Sequence, residues 1–362
     1  MTESNVSRGS MVRFSIGTKL IITFLALAVI PMSAIAYYNL TQSRDAVIKL
    51  AKENLIELSR STGYLIEQSI KENQRTSATL AGDPLVVKFL AASRKDRQAM
   101  KSLVYKTLRN YANTHPECYS PCLLDANGIV VAALDDILIG KNRSLSKYFK
   151  TAIAGKPYAS DIFVERATKR PCVFFTNPVI SDEEEIVGIS LIRLKADTIW
   201  KIIDEVSIGK QGVTYLVDQD GVIISHSNRD LLYHSLGKLK HEAVSTISST
   251  IRFGTIKDTK TPVIPKSLGM DQLCEQVTMA LGSGYYRFHS PLDNRYHAVG
   301  YTPLKIQPWT VVVDFPEDQF LAPLERTRAV TWGGVGLVTV IAFIISILLV
   351  RSIFRPICHR KD

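Results

Sequence analysis

Cys122-Leu123-Leu124-Asp125-Ala126-Asn127-Gly128-Ile129-Val130-Val131 and Tyr215-Leu216-Val217-Asp218-Gln219-Asp220-Gly221-Val222-Ile223-Ile224 are built alike. Each is an apolar run, then Asp-x-x-Gly, then a second apolar run. The pattern reads as strand, tight turn, strand, because glycine and asparagine tolerate the positive φ that such turns require. Two copies in one chain suggest two similarly built modules in series. More strands lie around them. Lys156–Glu165, Pro171–Ile180 and Ile186–Leu194 surround the acidic turn Ser181–Glu185, and Gly284–Ser290, Tyr296–Thr302 and Thr310–Phe315 follow the second hairpin. Strands joined by short turns imply antiparallel sheets. Between Leu231 and Leu281 the pattern predicts short helices and loops.

Upstream the texture is helical. From Thr41 to about Leu80, apolar residues recur at helical spacing at Val47, Leu50, Ala51, Leu55, Leu58, Leu65, Ile66 and Ile70, with charges on the other faces. No proline interrupts this stretch before Pro84. A helix of this length spans ~60 Å and acts as a stalk. Its narrow apolar stripe calls for a partner helix, so the chain is expected to be a homodimer. A second helical patch covers Arg97–Tyr111.

Further out, two uncharged apolar stretches bracket everything else. Leu20–Ser43 and Ala329–Val350 hold no charged residue, and Lys19, Arg44, Arg328 and Arg351 flank them. Each is long enough to span a hydrocarbon core of ~30 Å. Residues 1–19 hold Arg8, Arg13 and Lys19 against Glu3; residues 351–362 hold Arg351, Arg355, Arg360 and Lys361 against Asp362. Short basic tails stay in the cytoplasm. The net charge of +10 therefore reflects membrane topology rather than a nucleic-acid partner. A cleaved signal peptide is the other reading of the first stretch. Its apolar run is long for one, and Tyr37-Tyr38-Asn39 is a poor cleavage site. The implied order is a cytoplasmic tail (1–19), a membrane helix (20–40), an extracytoplasmic region (41–328), a second membrane helix (329–350) and a cytoplasmic segment (351–362). The fold class is α+β, and the location a cell inner membrane with a large periplasmic or extracellular domain.

Three stretches carry a family resemblance. They are Ser146-Lys147-Tyr148-Phe149-Lys150-Thr151-Ala152-Ile153-Ala154-Gly155-Lys156-Pro157-Tyr158-Ala159-Ser160-Asp161, the hairpin Leu216–His226, and Tyr301-Thr302-Pro303-Leu304 with Trp309–Val313 and Pro316-Glu317. Together they resemble the double Cache sensor domain of bacterial transmembrane receptors, over roughly residues 40–328. The resemblance implies a long N-terminal helix (41–80) along two PAS-like modules, a membrane-distal one at about 81–200 and a membrane-proximal one at about 210–315. It implies that the distal module binds a small molecule and that binding shifts the helices entering the membrane. Arg351-Ser352-Ile353-Phe354-Arg355-Pro356-Ile357 resembles the first turns of a HAMP linker; the alternative is a stop-transfer flank followed by a helix breaker. A HAMP unit and an output domain would follow, so the chain reads as a fragment or a truncated gene. The output is a chemotaxis signalling unit, a histidine kinase, a diguanylate cyclase or a phosphatase. The rival from another class is an enzyme, this chain then being the regulatory half of a transmembrane sensor kinase or diguanylate cyclase; a third reading is a stand-alone structural or interaction protein. The chain itself is not expected to be an enzyme, because no nucleophile elbow, P-loop or nucleotide fingerprint is present.

For amino-acid-binding members, the resemblance implies an arginine two residues before an aromatic pair, and two acids for the ligand ammonium. Here Ser146 stands at the arginine position and Tyr148-Phe149 at the aromatic pair. Ser160 stands at the first acidic position and Arg193 at the second. That favours an organic acid over an amino acid. Arg193 either grips a ligand carboxylate or pairs internally with Asp161, Glu165 or Asp197, since a charge on an apolar strand needs a partner. Tyr119, Tyr148, Phe149 and Tyr158 line the pocket or belong to the core. Asp161 contacts the ligand, caps a turn or fixes the loop of Arg166 and Arg170. Histidines are scattered, so neither a metal nor a cofactor is expected. Cys118 and Cys122 lie ~13 Å apart in a straight strand, too far to bridge, unless Pro121 bends the chain enough to close a disulfide.

Overall fold

The computed structural model describes residues 16–166, 168–206, 212–256 and 259–358. Residues 1–15 of the basic N-terminal tail and 359–362 of the HAMP-like segment lie outside them. The chain forms two compact units, one made of residues 1–51 with 318–362 and the other of residues 52–317. The described residues of the first unit are helical. This unit holds the start of α1 (Ile16–Ala81) and nearly all of α8 (Glu317–Cys358). Both helices are long and apolar enough to cross a membrane. Helix α8 continues through Arg355 and Pro356 to Cys358, so the backbone does not break at this proline.

The second unit contains two antiparallel sheets joined in sequence. The first module follows α1 with α2 (Pro84–Ala91), α3 (Arg94–Thr114), β1 (Cys118–Asp125), β2 (Val130–Ala133), α4 (Lys147–Ile153), β3 (Tyr158–Ala159), β4 (Phe163–Val164), β5 (Pro171–Ile180), β6 (Ile186–Lys195) and α5 (Ala196–Glu205). Its sheet runs β2-β1-β6-β5-β3, with β4 also on β5. The second module has β7 (Val213–Val217), β8 (Ile223–His226), α6 (His241–Thr250), α7 (Asp271–Thr278), β9 (Gly284–Ser290), β10 (Arg295–Pro303) and β11 (Thr310–Pro316). Its sheet runs β8-β7-β11-β10-β9. Each sheet has its own apolar core, around Leu124, Phe174 and Ile189 in the first and around Val217, Leu273 and Val312 in the second.

The two quoted hairpins fold as twins. Asp125 Oδ1 accepts from Asn127 N and Ile129 N, both at 3.0 Å; Asp218 Oδ1 accepts from Asp220 N at 2.9 Å and Val222 N at 2.8 Å. Gly128 and Gly221 carry φ of 79° and 77°, which the aspartate-closed turn demands. A single turn of 3₁₀ helix follows each hairpin, at Asp136–Leu138 and Arg229–Leu231.

The strand expected over Lys156–Glu165 is instead two short ones, β3 and β4. Between them the Ser160 hydroxyl accepts the amide of Phe174 at 2.8 Å, replacing a ladder contact and letting the chain turn. Along α1 the buried positions in the second unit include Leu55, Ser59, Thr62, Ile66, Ile70, Ser77 and Leu80. The helical period is as expected, but Leu65 is exposed, while small residues face the sheets. Ser59 Oγ and Thr302 Oγ1 lie 2.7 Å apart, and Asn177 Nδ2 donates to Ser77 Oγ at 2.5 Å, so α1 touches both modules.

On β10, His297 Nδ1 lies 2.5 Å from Asp314 Oδ1 and its Nε2 3.0 Å from Asp293 Oδ2. Burial works against the charged ring, but the hydrogen bonds its N–H groups donate to the two carboxylates prevail and raise its pKa above the ordinary 6.5. The stability this confers is fully present below the unfolded value. It is lost as pH rises through the raised folded value. Denaturation followed from about pH 6 upward should show that loss in the native chain. His297→Gln should flatten it; an unchanged profile would remove His297 as its source.

Candidate functional site

Within the first module, Cys122, Leu124, Val130, Leu138, Phe174 and Leu191 wall a small cavity that Arg143, Tyr148 and Glu165 also line. Its volume is about 10 Å³, the space of one water molecule. The sheet supplies the floor through β1, β5 and β6. Helix α4 supplies Tyr148, whose ring meets Phe174 edge-on at 5.0 Å. Burial raises the Tyr148 phenol above its ordinary value, so it stays protonated and can donate.

Charge is concentrated beside this cavity. Arg193, on β6, is 1% exposed. Its Nη1 donates to Glu165 Oε2 at 2.7 Å and its Nη2 to Asp135 Oδ2 at 2.5 Å. Thr168 Oγ1 also donates to Glu165, at 2.9 Å. Arg143 approaches Glu165 Oε1 from the other side at 3.7 Å, too long for a hydrogen bond. Two cations and two carboxylates therefore balance, with Arg193 and Glu165 buried and Arg143 and Asp135 reaching toward solvent. Such a cluster is costly to bury without excellent mutual pairing.

The predicted site residues divide. Tyr148 lines the cavity, and Phe149 is buried in the core around it. Tyr119 packs at the edge of the same core, with Arg170 at 5.2 Å and Arg193 at 5.9 Å from its ring centroid. Ser146 precedes α4 at the N-cap position and makes no capping hydrogen bond there. Arg193 is held by acids of the protein itself, as the internal-pairing alternative required. Of the partners named for it Glu165 is present; Asp135 takes the place of Asp161 and Asp197. Tyr158 and Asp161 lie elsewhere, lining a cleft toward the second module. The sequence reading missed Asp135 and Arg143. Arg143 is the nearest arginine upstream of Ser146, the position where one was sought.

The disulfide considered between Cys118 and Cys122 is not formed. Strand β1 bulges between Tyr119 and Cys122, next to Pro121, yet Cys118 still pairs with Leu194 and Cys122 with Leu191 along β6. Burial pushes both thiols up to about 12, so neither supplies the thiolate that disulfide exchange needs.

The segment between β3 and β5 faces two ways. Glu165 reaches into the first module. Its neighbours hold the second: Arg166 Nη2 donates to Thr250 O at 2.8 Å, at the C-terminal end of α6, and Val164 N donates to Arg252 O at 2.8 Å. Asp161 Oδ1 accepts from Trp309 Nε1 at 3.0 Å, and its Oδ2 lies 3.8 Å from Arg252 Nη2. Arg252 Nη1 is also 2.9 Å from Asp218, the turn aspartate of the second hairpin. Burial raises that carboxyl to about 6 despite the arginine.

This architecture has known counterparts. The sensor domain of the V. cholerae histidine kinase DctB aligns with a TM-score of 0.56 at 18% identity, covering 73% of this chain and 98% of that one. The ligand-binding domain of the Campylobacter jejuni chemoreceptor Tlp3, in complex with 4-methylisoleucine, aligns with a TM-score of 0.52 at 14% identity, covering 76% and 94%. The same domain with L-valine gives 0.50 at 13% identity, covering 76% and 96%. At such identities these likenesses establish the fold alone. The sequence itself goes further, since the family model described as a Cache domain matches residues 43–324, from the stalk part of α1 to the start of α8. With a long helix along two antiparallel sheets, this chain belongs to the double Cache family of sensor domains.

Proposed function

We propose that the chain is the sensing part of an inner-membrane receptor that binds a small carboxylate in its first module. The observation that carries this reading is the buried charged cluster beside the cavity. Glu165 and Asp135 are engaged by Arg193 and so are not available to an ammonium group. Arg143 makes no hydrogen bond through its guanidinium among the described residues, and its planar fork suits a carboxylate. The gripping cation is therefore Arg143 rather than Arg193, with the Tyr148 hydroxyl as a second donor. The cavity is too small for an organic acid as it stands. Room can come from residues 134–146, which carry Asp135 and Arg143 between β2 and α4. The C. jejuni relative is described with branched aliphatic amino acids, which makes amino acids the competing class.

The full chain in lipid nanodiscs should be heated with acetate, pyruvate, succinate and malate, and in parallel with L-amino acids. A ligand at 100 times its dissociation constant stabilises by ~2.7 kcal/mol. Arg143→Ala should abolish the shift while leaving the unliganded melting temperature within a few degrees. Stabilisation by amino acids alone, or a carboxylate shift that survives Arg143→Ala, would reject the reading.

Signal output is proposed to run through α8 to a chemotaxis-type unit, by way of a HAMP-like linker opening at Arg351. The histidine kinase relative supports a second reading, a sensor kinase. Coding sequence downstream of Asp362 distinguishes them: a HAMP unit followed by a long coiled coil supports the first, a phosphoacceptor-histidine domain the second. The receptor is proposed to act as a homodimer, since Tyr64 and Leu65 on α1 are 61% and 51% exposed. Cysteines introduced near Arg44 and Arg328 should crosslink between chains in membranes.

A further inference from the structure

A cleft of about 340 Å³ opens where the two modules meet α1. It is separate from the first module's cavity, with which it shares no lining residue. Three carboxamides converge on it from three parts of the fold: Gln74 from α1, Gln219 from the turn between β7 and β8, and Gln307 from the loop before β11. The side chains of Gln74 and Gln219 make no hydrogen bond among the described residues. Gln307 is 8% exposed and donates through Nε2 to Ala159 O at 3.2 Å. Each carboxamide offers both donors and an acceptor.

The charges on the lining are balanced. Lys147 contributes an ammonium, 5.7 Å above the ring of Tyr158. Asp161 contributes a carboxylate, already hydrogen-bonded by Trp309 and faced by Arg252. Lys147 is solvent-exposed, so its pull on a simple ion is weak. Nothing here resembles the guanidinium fork of Arg143. A lining rich in groups that donate and accept at once, without net charge, matches hydroxyl groups, which do the same. An aromatic wall suits the C–H faces of a ring. The volume is at the lower end of the range for small-molecule sites, ~300–1,000 Å³.

We propose that this cleft is a second ligand site, and that it takes a small neutral polyhydroxylated compound of monosaccharide or disaccharide size. Because both modules and α1 furnish the walls, an occupant ties the modules together where Asp161 and Trp309 already join them. The receptor would then have two inputs of different chemistry.

The test uses the full chain in nanodiscs, with glucose, ribose, maltose and inositol as probes in calorimetry and saturation-transfer NMR. At least one probe should bind saturably at concentrations up to about 50 mM. Gln74→Ala and Gln219→Ala should each weaken it roughly tenfold, and Tyr158→Ala should remove it. Neither glutamine side chain holds the fold together, so both variants should melt with the native chain. Arg143→Ala should leave sugar binding intact. Three results would overturn the proposal: no saturable binding by any of the four probes, affinity unchanged in both glutamine variants, or binding lost in Arg143→Ala.

Discussion

Arg193→Ala should lower the melting temperature of the full chain by roughly 10 °C, whether or not a ligand is present. The substitution leaves Glu165, with 7% of its side chain exposed, facing the apolar core without its closest cation. Removing one partner of a buried pair costs ~3–5 kcal/mol, because the remaining charge is neither solvated nor compensated. Asp135, 36% exposed, regains water more easily and adds less. A protein of this size loses ~2–4 °C per kcal/mol, which sets the scale of the shift. The triple variant Arg193→Met, Glu165→Gln, Asp135→Asn removes the charges together and should recover most of the loss. If Arg193 instead served chiefly to grip a ligand, Arg193→Ala would melt almost as the native chain does while losing its response to carboxylates. Differential scanning calorimetry with and without ligand separates the two.

That contrast marks what the sequence could convey. The hairpins were legible because everything that forms them lies within a few residues: Asp125 and Asp218 close their own turns, and Gly128 and Gly221 supply the positive φ. The limits of β5, β9 and β11 were legible for the same reason, being set by local β-branched and aromatic runs. The break between β3 and β4 was not, since it depends on a hydroxyl reaching an amide on the next strand. Arg193 could be seen to need a partner. Its pairing with Asp135 could not be seen, because that residue lies in an irregular segment with no periodicity to place it. Tyr158 and Asp161 were singled out because they lie in the family-like segment, and the structure places them on the cleft between the modules rather than on the first module's cavity. The docking of Trp309 onto Asp161, with Arg252 facing the same carboxylate, turns them toward the second module. The stripe on α1 is the most instructive case. Hydrophobic periodicity selects large side chains, and Leu55, Ile66 and Ile70 are buried, but a helix lying close against a sheet also buries small ones such as Ser59 and Ser77, which that periodicity passes over, while Leu65 is exposed.

Close approach also yields the second large expected effect, in Gly300→Ala. Gly300 lies in the middle of β10, paired with Val313 on one side and Tyr285 on the other. A Cβ there would sit 2.3 Å from the carbonyl carbon and oxygen of Leu55 and 2.8 Å from the amide nitrogen of Ile56. Those are backbone atoms of α1, so no rotamer change relieves the clash. Either the helix lifts off the sheet or the strand bows away from it. Lifting the helix would disturb the Ser59–Thr302 contact and the hydrogen bond from Lys305 N to the Glu67 carboxylate. Overpacking at a rigid contact costs ~3 kcal/mol, at the upper end of the usual range. Gly63→Ala is the matched control on the facing surface. Its Cβ would meet the tip of Leu304 at 3.1 Å, a flexible side chain that can yield. Thermal denaturation should therefore show a loss of several degrees for Gly300→Ala and little change for Gly63→Ala. If α1 carries the signal, Gly300→Ala should also weaken the response to ligand bound in the first module, even at temperatures where the variant is fully folded. Equal melting temperatures for the two variants would mean that α1 does not lie this close to the second sheet.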